Sequence, residues 1–148
     1  MVMSGKNYYT IFYADDDVDD QEIFRDIVTE IDEKVYTFTR NNGDELMHLL
    51  KNPPPDPHLV FLDLNMPFKN GYDVLREVRQ SEKLKHLPVV VFSTASDDES
   101  IGNARKLGAT MYIVKPTSYK NLKGTLKHVL GIDWDTYRTS NNNFVYEF

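Results

Sequence analysis

The chain has 148 residues, of which 41% are hydrophobic and 27% charged, which fits one ordinary globular domain with a real core. The absence of cysteine excludes disulfides, thiol catalysis and thiolate metal sites, and a net charge of −6 argues against nonspecific binding to nucleic acid. Since no apolar run approaches the roughly 18 residues of a membrane span and no signal-peptide core is present, we expect a cytoplasmic protein without a membrane or DNA partner.

Five short runs rich in apolar and β-branched residues predict buried strands of a parallel sheet. Four of the five end abruptly in residues that can perform phosphate or metal chemistry. In chain order the predicted strands are Tyr8–Ala14, Lys34–Arg40, His58–Leu62, Val89–Phe92 and Met111–Val114.

A helix is predicted after each strand. In the first, Ile23, Phe24 and Ile27 begin one apolar face, and Asp19 or Asp20 is a suitable N-cap. The later helices are predicted at 44–50, after Gly71, from Asp97 or Asp98 through Leu107, and from Ser118 to Leu130; the proline run 53–57 forms a stiff connector. This alternation predicts an α/β fold, a (βα)5 doubly wound three-layer sandwich with right-handed crossovers.

The chain divides into three parts by composition. Residues 1–7 are expected to form a flexible N-terminus, residues 8–131 the folded domain, and residues 132–148 an aromatic C-terminal tail. The tail either packs over the last helix or beside the sheet, or uses a detached strand, Phe144–Phe148, to contact a partner or a second copy in a homodimer.

The carboxyl ends of parallel strands lie on one edge of a sheet, so Asp15, Asp16, Asp63, Ser93 and Lys115 should converge. Two like charges about 4 Å apart repel by roughly 1 kcal/mol in water and about 4 kcal/mol at an effective dielectric of 20. The three carboxylates therefore require protonation or a cation. Oxygen ligands without a nearby histidine or cysteine indicate Mg²⁺, with Mn²⁺ as the alternative.

Asp63 is suited to nucleophilic chemistry, because a carboxylate is anionic at neutral pH and can accept a phosphoryl group without a general base. Lys115 would supply positive charge, and the Lys115–Pro116 bond is a candidate for a cis peptide that aims the ammonium over the edge. Ser93 could donate its hydroxyl to a phosphoryl oxygen. The other acidic residues near the first strand, Asp17, Asp19 and Asp20, are assigned to turn and capping roles.

Together these motifs resemble the receiver domain of bacterial two-component response regulators, from about Tyr8 to Leu130. The resemblance implies a (βα)5 fold with strand order 2-1-3-4-5, and phosphate donation by a sensor histidine kinase or a histidine phosphotransfer protein. The stretches that carry it are Tyr13-Ala14-Asp15-Asp16-Asp17, Phe61-Leu62-Asp63-Leu64-Asn65-Met66-Pro67, Phe92-Ser93-Thr94-Ala95 and Tyr112-Ile113-Val114-Lys115-Pro116.

The resemblance also implies roles for single residues. Asp63 matches the phosphoacceptor and Lys115 the lysine that contacts the phosphate. Asp16 matches the direct Mg²⁺ ligand, Asp15 the ligand acting through water, and Asn65 the position whose backbone carbonyl binds the metal.

The switch positions follow in the same way. The family's 22-residue interval to the lysine selects Ser93 as the switch hydroxyl and leaves Thr94 at the small-residue position beside the phosphate. Tyr112 matches the aromatic switch residue. Phosphorylation would then change the affinity of the face formed by the fourth helix, fifth strand and fifth helix for a downstream protein.

The proline connector, the Phe68–Asn70 loop and the Lys83–Leu87 segment resemble the stand-alone subgroup, which includes chemotaxis-type and phytochrome-associated regulators. The 17 residues after Gly131 are too few for a DNA-binding module. We expect self-catalysed phosphoryl transfer and autodephosphorylation, not an enzyme. One alternative is a Mg²⁺-dependent phosphohydrolase, against which Asn65 counts because it replaces the required second acid. The other is a phosphorylation-independent interaction module, against which intact Asp63 and Lys115 count.

Overall fold

The structure is a computed structural model that describes residues 8–146. The predicted flexible N-terminus, residues 1–7, and the last two residues of the tail lie outside the described residues. Strands and helices alternate five times, and a short sixth strand follows: β1 Tyr9–Ala14, α1 Val18–Ile31, β2 Val35–Arg40, α2 Gly43–Lys51, β3 Leu59–Leu62, α3 Gly71–Gln80, β4 Val89–Ser93, α4 Asp98–Lys106, β5 Met111–Val114, α5 Tyr119–Leu130 and β6 Val145–Tyr146.

Helix starts are set by side chains that cap free backbone N–H groups. Asp97 caps α4 and Ser118 caps α5, at the positions where the sequence predicts these helices to start. The prediction of Asp19 or Asp20 as the cap of α1 is wrong: Asp17 has the extended backbone of an N-cap, and its carboxylate accepts from the N–H groups of Asp19 and Asp20. The helix therefore starts directly after the acidic turn.

The sheet is parallel throughout, in the order β2-β1-β3-β4-β5-β6. This contains the order 2-1-3-4-5 that the resemblance implied and adds one strand at the β5 edge. β1 and β3 are central neighbours, with Ala14 level with Leu62. The residues that follow these two, Asp15 and Asp63, therefore leave the sheet side by side.

Helices cover both faces of the sheet, because side chains of successive strand residues point to opposite sides. Ile11 and Tyr13 of β1 belong to the cluster that includes apolar residues of α1 and α5. Phe12 and Ala14 belong to the cluster that includes those of α2, α3 and α4. None of the described helices combines the length and apolar character that a bilayer crossing requires.

The described part of the aromatic tail packs beside the sheet, the first of its two interpretations. Trp134 is buried and its indole N–H donates to the carbonyl oxygen of Val129 over 3.1 Å. Phe144 is buried, and Val145 and Tyr146 pair with β5 rather than standing detached. The tail thus returns from the end of α5 to extend the sheet.

Candidate functional site

Three carboxylates converge where β1 and β3 end. Asp15 and Asp16 follow β1, Asp63 follows β3, and one oxygen from each lies within 4.8 Å of the others. Asp15 and Asp63 are buried, whereas Asp16 is exposed. The parallel register predicted this meeting from the sequence, and the structure brings the three together at an edge open to solvent on the Asp16 side.

Lys115 joins the cluster from the end of β5. Its ammonium Nζ donates to Asp15 Oδ2 over 2.6 Å and to Asp20 Oδ2 over 3.2 Å, and it lies 3.6 Å from Asp63 Oδ2. Burial by itself would lower the pKa of Lys115, but the hydrogen bond and charge of Asp15 outweigh burial and the pKa is raised. The lysine is therefore charged throughout the physiological range.

Two sequence expectations near this lysine need correction. The Lys115–Pro116 peptide bond is trans; in the described part of the chain the cis bonds are Pro53–Pro54 and Pro54–Pro55. A cis bond is unnecessary because the long lysine stem reaches the carboxylates from a trans backbone. Asp20, expected to have only a capping role, also contacts the ammonium from the first turn of α1.

Burial dominates the electrostatics of Asp63. It raises the pKa of the Asp63 carboxyl to about 6 despite the opposing charge of Lys115, and Asp15 adds to the rise. Backbone N–H groups of Asn65 and Leu64 bond to the carboxylate and pull the pKa the other way. One neighbouring cation is thus not enough to neutralise this cluster, which leaves room for a second.

Asp15 is held by groups that the sequence reasoning missed. The Tyr13 hydroxyl donates to Asp15 Oδ2 over 2.5 Å, and the backbone N–H of Asp17 donates to Oδ1 over 2.9 Å. The side-chain amide of Gln21 donates to the Asp15 carbonyl oxygen and to Asn41 Oδ1, tying the ends of β1 and β2 together. Tyr13 had a signal: residues two apart on a strand share a side, and a buried tyrosine needs a partner for its hydroxyl.

The end of β4 carries the expected hydroxyl pair with different exposures. Ser93 is fully buried and its Oγ accepts from the Ala95 N–H over 3.2 Å, whereas the neighbouring Thr94 is exposed. Tyr112 of β5 is also fully buried, and its hydroxyl donates to the Ala95 carbonyl oxygen over 2.7 Å. Burial raises the pKa of Tyr112 to about 12. Ser93 and Tyr112 therefore bond to the same turn residue, Ser93 to its N–H and Tyr112 to its carbonyl oxygen.

The loop after Asp63 approaches its backbone closely. A Cβ on Gly71 would lie 2.4 Å from the Asp63 carbonyl oxygen, and the Gly71 N–H donates to the Leu64 carbonyl oxygen over 3.0 Å. Asn70 caps α3 through its side chain. Asn65 stands exposed in this loop, two residues after Asp63. Only glycine at 71 lets the start of α3 come this close to the acidic cluster.

This set of oxygens, with Lys115 beside it, is consistent with a divalent cation such as Mg²⁺, which binds one or two carboxylates and keeps several waters. Residues 11–127 match the family model described as the response regulator receiver domain. The chain belongs to this receiver family. Receiver domains are signalling domains, not conventional enzymes.

Individual receivers show how far the likeness extends. Response regulator Rcp1 of Synechocystis sp. PCC 6803 is 39% identical over 79 residues, which is 53% of this chain and 52% of Rcp1. Chemotaxis protein CheY-3 of Vibrio cholerae is 34% identical over 113 residues, 76% of this chain and 87% of CheY-3. The resemblance to chemotaxis-type and phytochrome-associated receivers is confirmed. The chain spans about half the length of several curated relatives it matches, 47% to 53%.

Solved receiver structures share the fold. The Mn²⁺-bound form of Rcp1 superimposes with a TM-score of 0.76 at 24% identity, covering 89% of this chain and 99% of that one. The phosphorylated cyanobacterial phytochrome response regulator RcpA gives a TM-score of 0.79 at 28% identity, covering 89% and 97%. The receiver fold therefore accounts for most of the chain.

Proposed function

We propose that this chain is the receiver of a response regulator in a two-component phosphorelay and takes a phosphoryl group onto Asp63. The observation that carries the proposal is the position of the Asp63 carboxylate, beside two other carboxylates and 3.6 Å from the Lys115 ammonium. An Asp63 oxygen attacks phosphorus of a phosphohistidine on a sensor kinase or phosphotransfer protein. The P–N bond breaks, its electron pair returns to the imidazole, and an aspartyl-phosphate forms.

Mg²⁺, or Mn²⁺, would be held by Asp16 and Asp63 directly, by Asp15 through water, and by the backbone carbonyl of Asn65. When bound, the cation neutralises charge on the transferring phosphoryl oxygens. The fit is supported by three clustered oxygens and by the raised pKa of Asp63 without metal. The Mn²⁺-bound form of Rcp1 supports the binding of a divalent ion in this fold. Lys115 provides the second positive charge.

The phosphodonor would approach between α1 and α5. A cavity of about 180 Å³ there is lined by Asp20, Phe92 and Lys115 of the acidic site and by apolar groups farther out. Ile23 and Tyr119 at this cavity are exposed large side chains, and the cavity reaches the acceptor site through Lys115, which lies 3.6 Å from Asp63. A partner helix packing on these residues would bring its phosphohistidine to Asp63.

The switch would run through the turn after β4. On phosphorylation the Ser93 hydroxyl donates to a phosphoryl oxygen, with Thr94 beside the phosphate, and the Ser93–Ala95 contact changes. Because the Ala95 carbonyl oxygen also accepts a hydrogen bond from the Tyr112 hydroxyl, the turn connects the acidic site to β5. The face formed by α4, β5 and α5 then changes its affinity for a downstream protein.

The same proposal covers the organisation of the chain: an N-terminal segment 1–7, a three-layer receiver domain 8–131 and an aromatic tail 132–148, in a protein that works in the cytoplasm. The two faces of helices support the layered arrangement.

The test is phosphorylation by acetyl phosphate with and without Mg²⁺, followed by intact mass. Wild type should gain the mass of one phosphoryl group only with the metal, and Asp63→Asn should gain none. Asp17→Asn is the matched control, because Asp17 caps α1 and lies outside the carboxylate cluster. Equal uptake by wild type and Asp63→Asn would refute the assignment, and steady turnover of a phosphate monoester would favour the phosphohydrolase.

A further inference from the structure

The tail covers the outer edge of β5, at the centre of the face assigned above to the output partner. The Tyr112 N–H donates to the Phe144 carbonyl oxygen over 2.8 Å, and Val145 and Tyr146 pair with Tyr112 and Ile113. The backbone groups that an incoming strand would use are therefore already occupied by the chain itself.

Aromatic side chains fix this segment to all three elements of the face. Phe144 is only 2% exposed; its ring centroid lies 6.4 Å from that of Tyr112, and the Arg105 guanidinium of α4 sits 5.3 Å from it. Tyr146 stacks on His128 of α5 with ring centroids 4.9 Å apart. Phe144 is thus an anchor in a pocket, and Tyr146 is a second contact two positions along.

The rest of the attachment is slight. The sixth strand has only two residues, and the segment leading into it, residues 138–142, is polar and exposed. The Thr139 hydroxyl donates to the Thr110 carbonyl oxygen at the sheet edge, and the Tyr137 hydroxyl donates to the Asn143 carbonyl oxygen over 2.8 Å, just before Phe144. These contacts involve only the β5 edge, its flanking helices and the tail itself, so exchange for an equivalent segment from another molecule leaves the pairing of the five main strands intact.

We propose that Phe144–Tyr146 is an internal ligand of the output face, and that the downstream partner binds there as an extended strand that replaces it. Strand addition at a free sheet edge is a general mode of peptide recognition, in which backbone bonds give affinity and side-chain pockets give specificity. The partner strand carries one aromatic residue for the Phe144 pocket and a second two residues later. The proposal rests on the proposed function for the identity of the output face.

Charge around the pocket adds to the description of the partner. The last turn of α4 ends with Arg105 and Lys106, and the last turn of α5 contains Lys127 and His128. These basic residues flank the edge of β5 from both sides. The partner strand should therefore carry acidic residues beside its aromatic pair.

The experiment uses the full chain and a fluorescein-labelled peptide with the sequence of residues 142–148, Asn-Asn-Phe-Val-Tyr-Glu-Phe, read by fluorescence anisotropy. Phe144→Ala should bind the peptide about tenfold or more tightly than wild type, because the internal competitor and its effective concentration are lost. Val145→Ala, whose side chain is 40% exposed, is the matched control and should bind as wild type does. A peptide with alanine in place of its first phenylalanine should not bind.

Equal affinity of wild type and folded Phe144→Ala would overturn the proposal. A dimer of Phe144→Ala in size-exclusion chromatography without gain in peptide binding would assign the edge to a second copy and also overturn it. If Phe144→Ala does not fold, hydrogen exchange on wild type decides: saturating peptide should speed exchange of the amides of 144–146, and unchanged exchange would contradict displacement. Repeating the binding in Asp63→Asn without a phosphodonor keeps this test independent of phosphorylation.

Discussion

Replacing Asp63 by asparagine should stabilise the metal-free protein near neutral pH. Burial raises the pKa of the Asp63 carboxyl from the ordinary value of 3.8 to about 6. The folded state thus favours the protonated carboxyl over the charged carboxylate. The resulting stabilisation of the folded state is fully present below about pH 4 and is lost as the pH rises through 6. A shift of this size corresponds to about 3 kcal/mol of unfolding free energy, at 1.36 kcal/mol for each pKa unit.

Asparagine keeps an oxygen toward Lys115 but cannot ionise. Urea unfolding in EDTA between pH 4 and 8 should therefore show the stability of Asp63→Asn rising relative to wild type, and levelling above pH 7. Taking the difference between the two proteins cancels the titration of carboxylates that do not interact with Asp63. Saturating Mg²⁺ should raise the free energy of unfolding by a similar amount in wild type but not in Asp63→Asn, since a ligand at 100 times its Kd stabilises the folded state by about 2.7 kcal/mol. A difference in unfolding free energy that does not change with pH would show that Asp63 is not the carboxyl with the raised pKa.

Three further experiments, which use four substitutions, test separate parts of the structure. Gly71→Ala should destabilise the protein by about 2 kcal/mol in thermal melts, because the new Cβ would lie 2.4 Å from the Asp63 carbonyl oxygen. Gly102→Ala, in open space on α4, should instead stabilise the protein by about 0.5–1 kcal/mol. Effects of the same sign for both variants would contradict this prediction. Arg79→Lys should lower the free energy of unfolding in urea by about 3 kcal/mol, because lysine cannot reproduce the guanidinium that donates to the carbonyl oxygens of Gly108 and Leu87. A change near zero would contradict this and would mean that water takes the place of the guanidinium. Tyr112→Phe should lower the free energy of unfolding by about 1 kcal/mol, because the hydrogen bond to the Ala95 carbonyl oxygen is lost. The variant should still be phosphorylated by acetyl phosphate as wild type is. Loss of phosphorylation, measured by intact mass, would mean that Tyr112 takes part in phosphoryl transfer and not in the response to it.

The convergence of the acidic site followed from the sequence because it depends only on strand direction. Asp15, Asp63 and Lys115 each follow a buried apolar run, and parallel strands deliver such residues to one edge whatever lies between them. Their meeting is confirmed by the contacts at Lys115. Their roles in phosphoryl transfer remain predictions until Asp63 is tested.

What the sequence left open were choices between near-equivalent local solutions. Asp17, Asp19 and Asp20 are chemically alike, and only the backbone angles at the end of β1 make Asp17 the cap of α1. A Lys-Pro bond allows either isomer, and the residue types alone do not say that the Lys115–Pro116 bond is trans. The hydrogen bond from the Gln21 side chain to the Asp15 carbonyl oxygen joins a helix to the end of a strand, and the spacing of apolar residues does not predict such a contact.

The sixth strand also affects how copies of this protein behave in a concentrated solution. An uncovered edge of a parallel sheet offers unpaired N–H and C=O groups to any other chain and is a common start for aggregation. Here the unpaired edge on that side belongs to two residues, Val145 and Tyr146, and not to the longer run of β5. The short closing strand thus makes the molecule less prone to self-association, which ties its colloidal behaviour to the last few residues of its chain.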